Sequence, residues 1–107
     1  MAEPEDPLRF VQRCIRTRRV QWTYHVNMRL AKRFISREDI LAAVESYQIV
    51  EAYPEDKYLP SYLLLARLGK DAFHVLLAAD VAGDNVRVVT AYRPSTDEWQ
   101  ADLKKRR

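Results

Sequence analysis

Residues 62–92 read YLLLARLGKDAFHVLLAADVAGDNVRVVTAY. Tyr62 to Leu68 is an almost unbroken apolar run. Gly69 to Asp71 interrupts it, Phe73 to Val81 resumes it, Gly83 and Asp84 interrupt it again, and Val86 to Tyr92 completes the series. Such runs, rich in β-branched and aromatic residues and punctuated by glycine and aspartate, predict an antiparallel meander. Gln48 to Tyr53 is one more short run of β-formers, set apart by the polar loop Pro54 to Pro60. A two-residue turn at Gly83-Asp84 would set Asp80 opposite Arg87 and Arg93 opposite His74. A four-residue loop in the preceding hairpin would set Arg67 opposite His74. These registers gather Arg67, His74 and Arg93 at one end of the sheet, although a slip of one residue reverses every face.

The chain before Gln48 has helical periodicity. Asp6 can cap and Pro7 suits a first helical position, after which Leu8, Val11, Cys14 and Ile15 recur at steps of three and four. A second helix is expected from Thr23 to Phe34. Ser36 and Asp39 have capping-box spacing and open a third, with Ile40, Leu41, Val44 and Tyr47 as its apolar stripe. The expected fold is α+β, with N-terminal helices packed on a four-stranded antiparallel sheet and a short C-terminal helix or basic tail. A single domain should span residues 1–107, with residues 1–6 flexible and 100–107 a basic tail.

Composition excludes several classes. A chain of 107 residues with 48% hydrophobic and 31% charged residues is one folded domain. One cysteine excludes an internal disulfide and makes a reducing cytoplasm the expected compartment. Two distant histidines and that cysteine do not form the usual zinc sets, and two glycines leave no phosphate loop. No cofactor or metal is expected. The acidic start lacks the pattern of a signal peptide, and no run reaches the length of a membrane span.

The net charge of +3 conceals a segregation. Residues 7–37 carry nine Lys or Arg and no Asp or Glu, and residues 104–107 are all basic, which leaves fifteen acidic against five basic residues elsewhere. Such blocks create a local positive field suited to polyanions. Arg13, Arg16, Arg18, Arg19, Lys32 and Arg93 are the candidate contacts to a nucleic-acid backbone. Trp22, Tyr24, Tyr58 and Tyr62 add aromatic surface compatible with base stacking. The plainer reading is an arginine-rich solvated helix face.

His25, Arg29 and Arg33 follow one another at steps of four, so a helix sets them on one stripe beside Lys32. Arginines hold phosphate oxygens bidentately, and a neutral imidazole can take the proton of a ribose 2′-hydroxyl. Phosphodiester cleavage of this kind uses no metal. The same spacing also describes the polar face of an ordinary amphipathic helix. His74 and Tyr92, with Thr90, could serve the leaving group, or could be a satisfied histidine and a core aromatic. Cys14 lies among arginines that would lower a thiol pKa, yet no histidine neighbours it and it reads as a core residue.

The string His25-Val26-x-x-Arg29-Leu30-x-x-Arg33-x-Ile35-Ser36-x-Glu38-Asp39-Ile40 resembles the signature helix of a bacterial family, domain of unknown function 4258. Leu65-Ala66-Arg67, Phe73-His74-Val75, Val89-Thr90-Ala91-Tyr92-x-Pro94 and Trp99 are similar to its later motifs. Phe34 departs from a frequent glycine before Ile-Ser, and the basic first helix is an addition. The resemblance implies a relation to small RelE-like and BrnT-like RNase toxins. It implies His25, Arg29, Arg33, Arg67, His74 and Tyr92 as catalytic residues, RNA as substrate, free or on the ribosome, and an antitoxin as partner. The expected function is a metal-independent RNA endonuclease of a toxin–antitoxin pair. The alternatives are a non-catalytic nucleic-acid-binding or regulatory module, and an interaction domain for an acidic protein.

Overall fold

The computed structural model describes residues 2–107. Helix α1 spans Pro7–Arg16, with the Arg9 amide donating to the Asp6 carboxylate at 3.2 Å and Pro7 in the first turn. It buries Val11, Cys14 and Ile15. Arg18 closes it in the left-handed region, and the Arg19 amide returns to the Cys14 carbonyl at 2.8 Å. Strand β1 (Val20–Trp22) follows, then helix α2 (Tyr24–Arg33). Thr23 caps α2 by accepting from the Val26 amide at 3.1 Å. Helix α3 (Arg37–Ala42) carries the expected capping box between Ser36 and Asp39. A 3-10 turn at Val44–Ser46 ends the helical half. Tyr47 lies beyond that turn, buried, and donates to the Ile40 carbonyl at 2.5 Å.

Strands β2 (Gln48–Tyr53), β3 (Ser61–Leu68), β4 (Asp71–Asp80) and β5 (Asn85–Tyr92) form the meander. The sheet has five strands, in the order β1-β5-β4-β3-β2, and not the expected four. The added strand, β1, pairs parallel with β5, Val20 opposite Val86 and Trp22 opposite Val88. Three residues are too few to show an alternating pattern, so only the partner strand reveals it.

Two registers also differ from expectation. The β3–β4 turn holds only Gly69 and Lys70, so Leu65 faces His74 and Arg67 faces Ala72. Gly69 supplies the positive φ of that turn. The β4–β5 loop holds four residues, with Asp80 opposite Asn85, and a bulge follows between Leu76 and Leu77. Together they bring Tyr92, not Arg93, opposite His74. Arg87 still reaches Asp80, diagonally, at 3.3 Å.

The sheet is covered on both faces. Leu64, Ala66, Val75, Leu77, Val86 and Val88 pack with Val11, Ile15, Val26, Leu30 and Ile40 of the helices. On the other face, residues 95–107 fold back as a series of turns, with Trp99 bridged to Arg106 and only 2% exposed. This segment replaces the expected helix or free tail. Burial from both sides explains why β3 reads as a continuous apolar run. Among the described residues no helix is long and apolar enough to cross a membrane.

Candidate nucleic-acid interface

Helix α2 sorts its ten residues by angle. Val26 and Leu30 are buried, while Tyr24, His25, Met28, Arg29 and Lys32 are exposed on the opposite side. Tyr24, Met28 and Lys32 make one column at steps of four, and His25 and Arg29 make the next. The sequence of α2 contains no acidic residue. The His25 ring stands edge-on to Tyr24, with centroids 6.3 Å apart. Arg29 and Lys32 form no ion pair among the described residues.

The columns drift by about 40° per step of four residues. That drift turns Arg33 towards β5. Its Nη1 donates to Thr90 Oγ1 at 3.0 Å and to the Ala91 carbonyl at 2.7 Å. Strand β1 ends opposite Val88, so these groups lie on an edge that β1 leaves unpaired. Arg33 therefore fastens α2 to the sheet. Arg93 fastens the end of the same helix, donating to the carbonyls of Arg33 and Phe34, while Asp71 grips its other side at 2.8 Å. Both are positioning residues, and the pairing with Arg93 holds the Asp71 carboxyl below its usual range.

Three arginines of the basic N-terminal segment are neutralised by the acidic half of the chain. Arg13 and Arg19 pair with Asp84, and Arg16 pairs bidentately with Glu45 at 2.8 Å. Those guanidinium groups hold the Asp84 and Glu45 carboxyls below their ordinary values. Arg18 donates to the Ile15 carbonyl at 2.9 Å. Cys14 is fully buried, and desolvation pushes its thiol up, outweighing Arg13 and reversing the expected lowering.

His74 lies on the opposite face of the sheet from the helices and is 0% exposed. Its Nε2–H donates to the Leu103 carbonyl at 2.7 Å, and its Nδ1 accepts from the Tyr92 hydroxyl at 3.3 Å. Trp99 stands edge-on to the ring at 4.5 Å. Burial pushes the imidazole down and so keeps it neutral, and burial pushes the Tyr92 hydroxyl up. Arg106 sits over Trp99 and donates to Glu51 at 2.7 Å, holding that carboxyl low. Arg67 is exposed, its amide donating to Ser46 Oγ at 2.8 Å.

The expected constellation is thus divided. His25, Arg29 and Lys32 share an exposed face, with Arg33 anchoring it. His74 is buried elsewhere and Tyr92 half-buried beside it, with their polar atoms engaged, and Arg67 faces Ala72 and does not face His74. Tyr62 is buried and Trp22 lies under Arg37, so of the expected stacking aromatics only Tyr24 and Tyr58 are open. Sequence reasoning missed the role of residues 95–107. The signal was Trp99, a large apolar residue in a polar stretch. Among the described residues no three His, Cys, Asp or Glu side chains cluster as metal ligands.

No curated protein matches the chain, and no solved structure does. The model of a family described as domain of unknown function DUF4258 matches residues 22–93, which include all of α2, α3 and β2 to β5. The match stops short of the segment that covers His74. With two thirds of its length matched in this way, the chain belongs to the DUF4258 family.

Proposed function

We propose that this protein binds RNA through the exposed face of α2 and cleaves it without a metal, as the small RNase toxins it resembles do, with an antitoxin as its partner. One observation carries the reading. His25, Arg29 and Lys32 stand exposed on one acid-free helix face, whereas Arg13, Arg16 and Arg19 of the first basic segment have carboxylates against them. An unneutralised row of cations attracts a phosphate backbone, and arginine offers it planar paired donors.

His25 is the group in this row whose imidazole, when unprotonated, can take the proton of a ribose 2′-hydroxyl. The freed oxygen attacks the adjacent phosphorus, the bond to the 5′-oxygen breaks, and a cyclic phosphate results. Arg29 and Lys32 stabilise the charge on the phosphorus centre. The protonated His25, or water, returns the proton to the leaving oxygen.

The test is RNA cleavage by the purified protein in EDTA. Activity should survive the chelator and fall by about 10²-fold or more in His25→Ala. Arg29→Ala should lose activity together with RNA affinity. Intact RNA, free and ribosome-bound, after long incubation would remove the catalytic part of the proposal.

A second reading, binding without chemistry, is favoured by the engagement of buried His74 with Tyr92 and the Leu103 carbonyl, away from α2. Only one imidazole is then left at the cationic face. On this reading affinity falls steeply with salt, and His25→Ala alters neither affinity nor the integrity of the RNA.

A further inference from the structure

Phe34 ends α2 in the left-handed region, φ 56°, and is 86% exposed. The Ile35 amide reaches back to the Leu30 carbonyl at 3.1 Å, closing the helix as a Schellman turn with Phe34 at its left-handed position. Glycine is the usual residue there, because a Cβ crowds the backbone. A phenylalanine is therefore unfavourable twice over, by its backbone and by its bare ring. Such a residue persists where something uses it.

Its surroundings narrow the choice. Tyr24, at the other end of the helix, is 75% exposed, and Met28 between them is 46% exposed. The same helix exposes His25, Arg29 and Lys32. A shallow groove of about 450 Å³, lined by Leu30, Ala31, Phe34 and Ile35, lies between α2 and α3. Its acidic member, Asp39, is held in the Ser36 capping box. Cations alone would accept any polyanion, duplex or single strand. Exposed aromatic rings at the two ends of a helix that also presents exposed cations suit a strand whose bases are free to stack.

We infer that α2 selects single-stranded nucleic acid, with Tyr24 and Phe34 as base-stacking platforms and the intervening cations on the backbone. This inference rests on the nucleic-acid reading above and deepens it by naming the strand state. A duplex has its bases already stacked, so it gains only the charge contacts. Loss of an aromatic should weaken single-strand binding without changing how steeply it depends on salt. Loss of a cation should weaken both and flatten that dependence.

The experiment is fluorescence anisotropy of a labelled oligothymidine, alone and as a duplex, over a salt series. Thymidine lacks the 2′-hydroxyl, so binding is read without cleavage. The full chain is compared with Phe34→Gly, Tyr24→Ala and Arg29→Ala. Glycine suits the left-handed turn, so Phe34→Gly keeps the fold. The single strand should bind about tenfold more tightly than the duplex, and each aromatic variant should lose about tenfold on the single strand alone. Arg29→Ala should reduce the salt slope by about one ion. Equal affinity for both forms, unchanged by Phe34→Gly, overturns the stacking inference and leaves the polyanion reading standing. No binding of either form at low salt overturns both. Retained oligothymidine affinity in Phe34→Gly, with loss of self-association or of a protein partner, assigns the face to protein docking and also overturns the inference.

Discussion

Both ring nitrogens of His74 are engaged inside the protein, one on the Leu103 carbonyl and one on the Tyr92 hydroxyl. That pairing has a consequence for acid stability. The folded imidazole holds its proton less tightly than the ordinary value of 6.5, whereas the unfolded chain titrates near that value. The unfolded state therefore binds more protons as pH falls, so the stability from His74 is complete above about pH 6.5 and is lost below it. Glu51 beside it stays charged through this range, held low by Arg106. Urea denaturation should give constant stability above about pH 7 and a decline as pH falls through about 6.5. His74→Gln should flatten that decline. An equal slope in the variant would show that the clamp does not titrate.

Phe34 illustrates the opposite balance at the same scale. Relief of left-handed strain in Phe34→Gly is worth about 1–2 kcal/mol, and the added chain entropy of glycine offsets about 0.5–1 kcal/mol of it. Thermal unfolding should show an unchanged or raised Tm. A clear loss would mean that the ring makes packing contacts its exposure does not suggest.

Among the elements, α2 is tied to the sheet at its C-terminal end by its own Arg33 and by Arg93 beyond β5. Arg33 closes the strand edge that β1 leaves open, and Arg93 caps the helix end. Arg33→Ala should cost about 1 kcal/mol and speed amide exchange across α2, with β3 and β4 unaffected. Exchange unchanged in α2 would deny Arg33 its anchoring role. The helices were legible because their signals are local: Asp6-Pro7, Thr23 and Ser36-x-x-Asp39 mark starts within four residues. The pairing of Arg33 with Thr90 joins positions 57 residues apart and has no local signal. The bulge beside Leu76 was also unreadable, since packing sets it and both adjacent segments are apolar. It shifts the partner of His74 from Ala91 to Tyr92, after the four-residue loop has already moved Arg93 out of that register.

For the whole molecule, the charge blocks that suggested a broad basic surface are partly cancelled in three dimensions. Asp84 and Glu45 come from distant segments to meet α1, and only contact geometry could show it. The cations of α2, which the sequence pattern had marked by His25, Arg29 and Lys32, stay without carboxylate partners among the described residues. The second large-scale feature is the turn-rich segment over the sheet. Trp99→Ala should destabilise the domain by about 3–5 kcal/mol, a large share of a total of about 5–15 kcal/mol. Chemical denaturation measures it, and a change under about 1 kcal/mol would show the tryptophan to be peripheral.

Residues 99–106 also act as a latch on the sheet. Without them, Leu63, Leu65 and His74 would face water on the open side of the meander. A chain truncated after Tyr92 should therefore bind hydrophobic dyes and aggregate, whereas the full chain should do neither; equal dye binding by the two would show that the segment does not close the sheet.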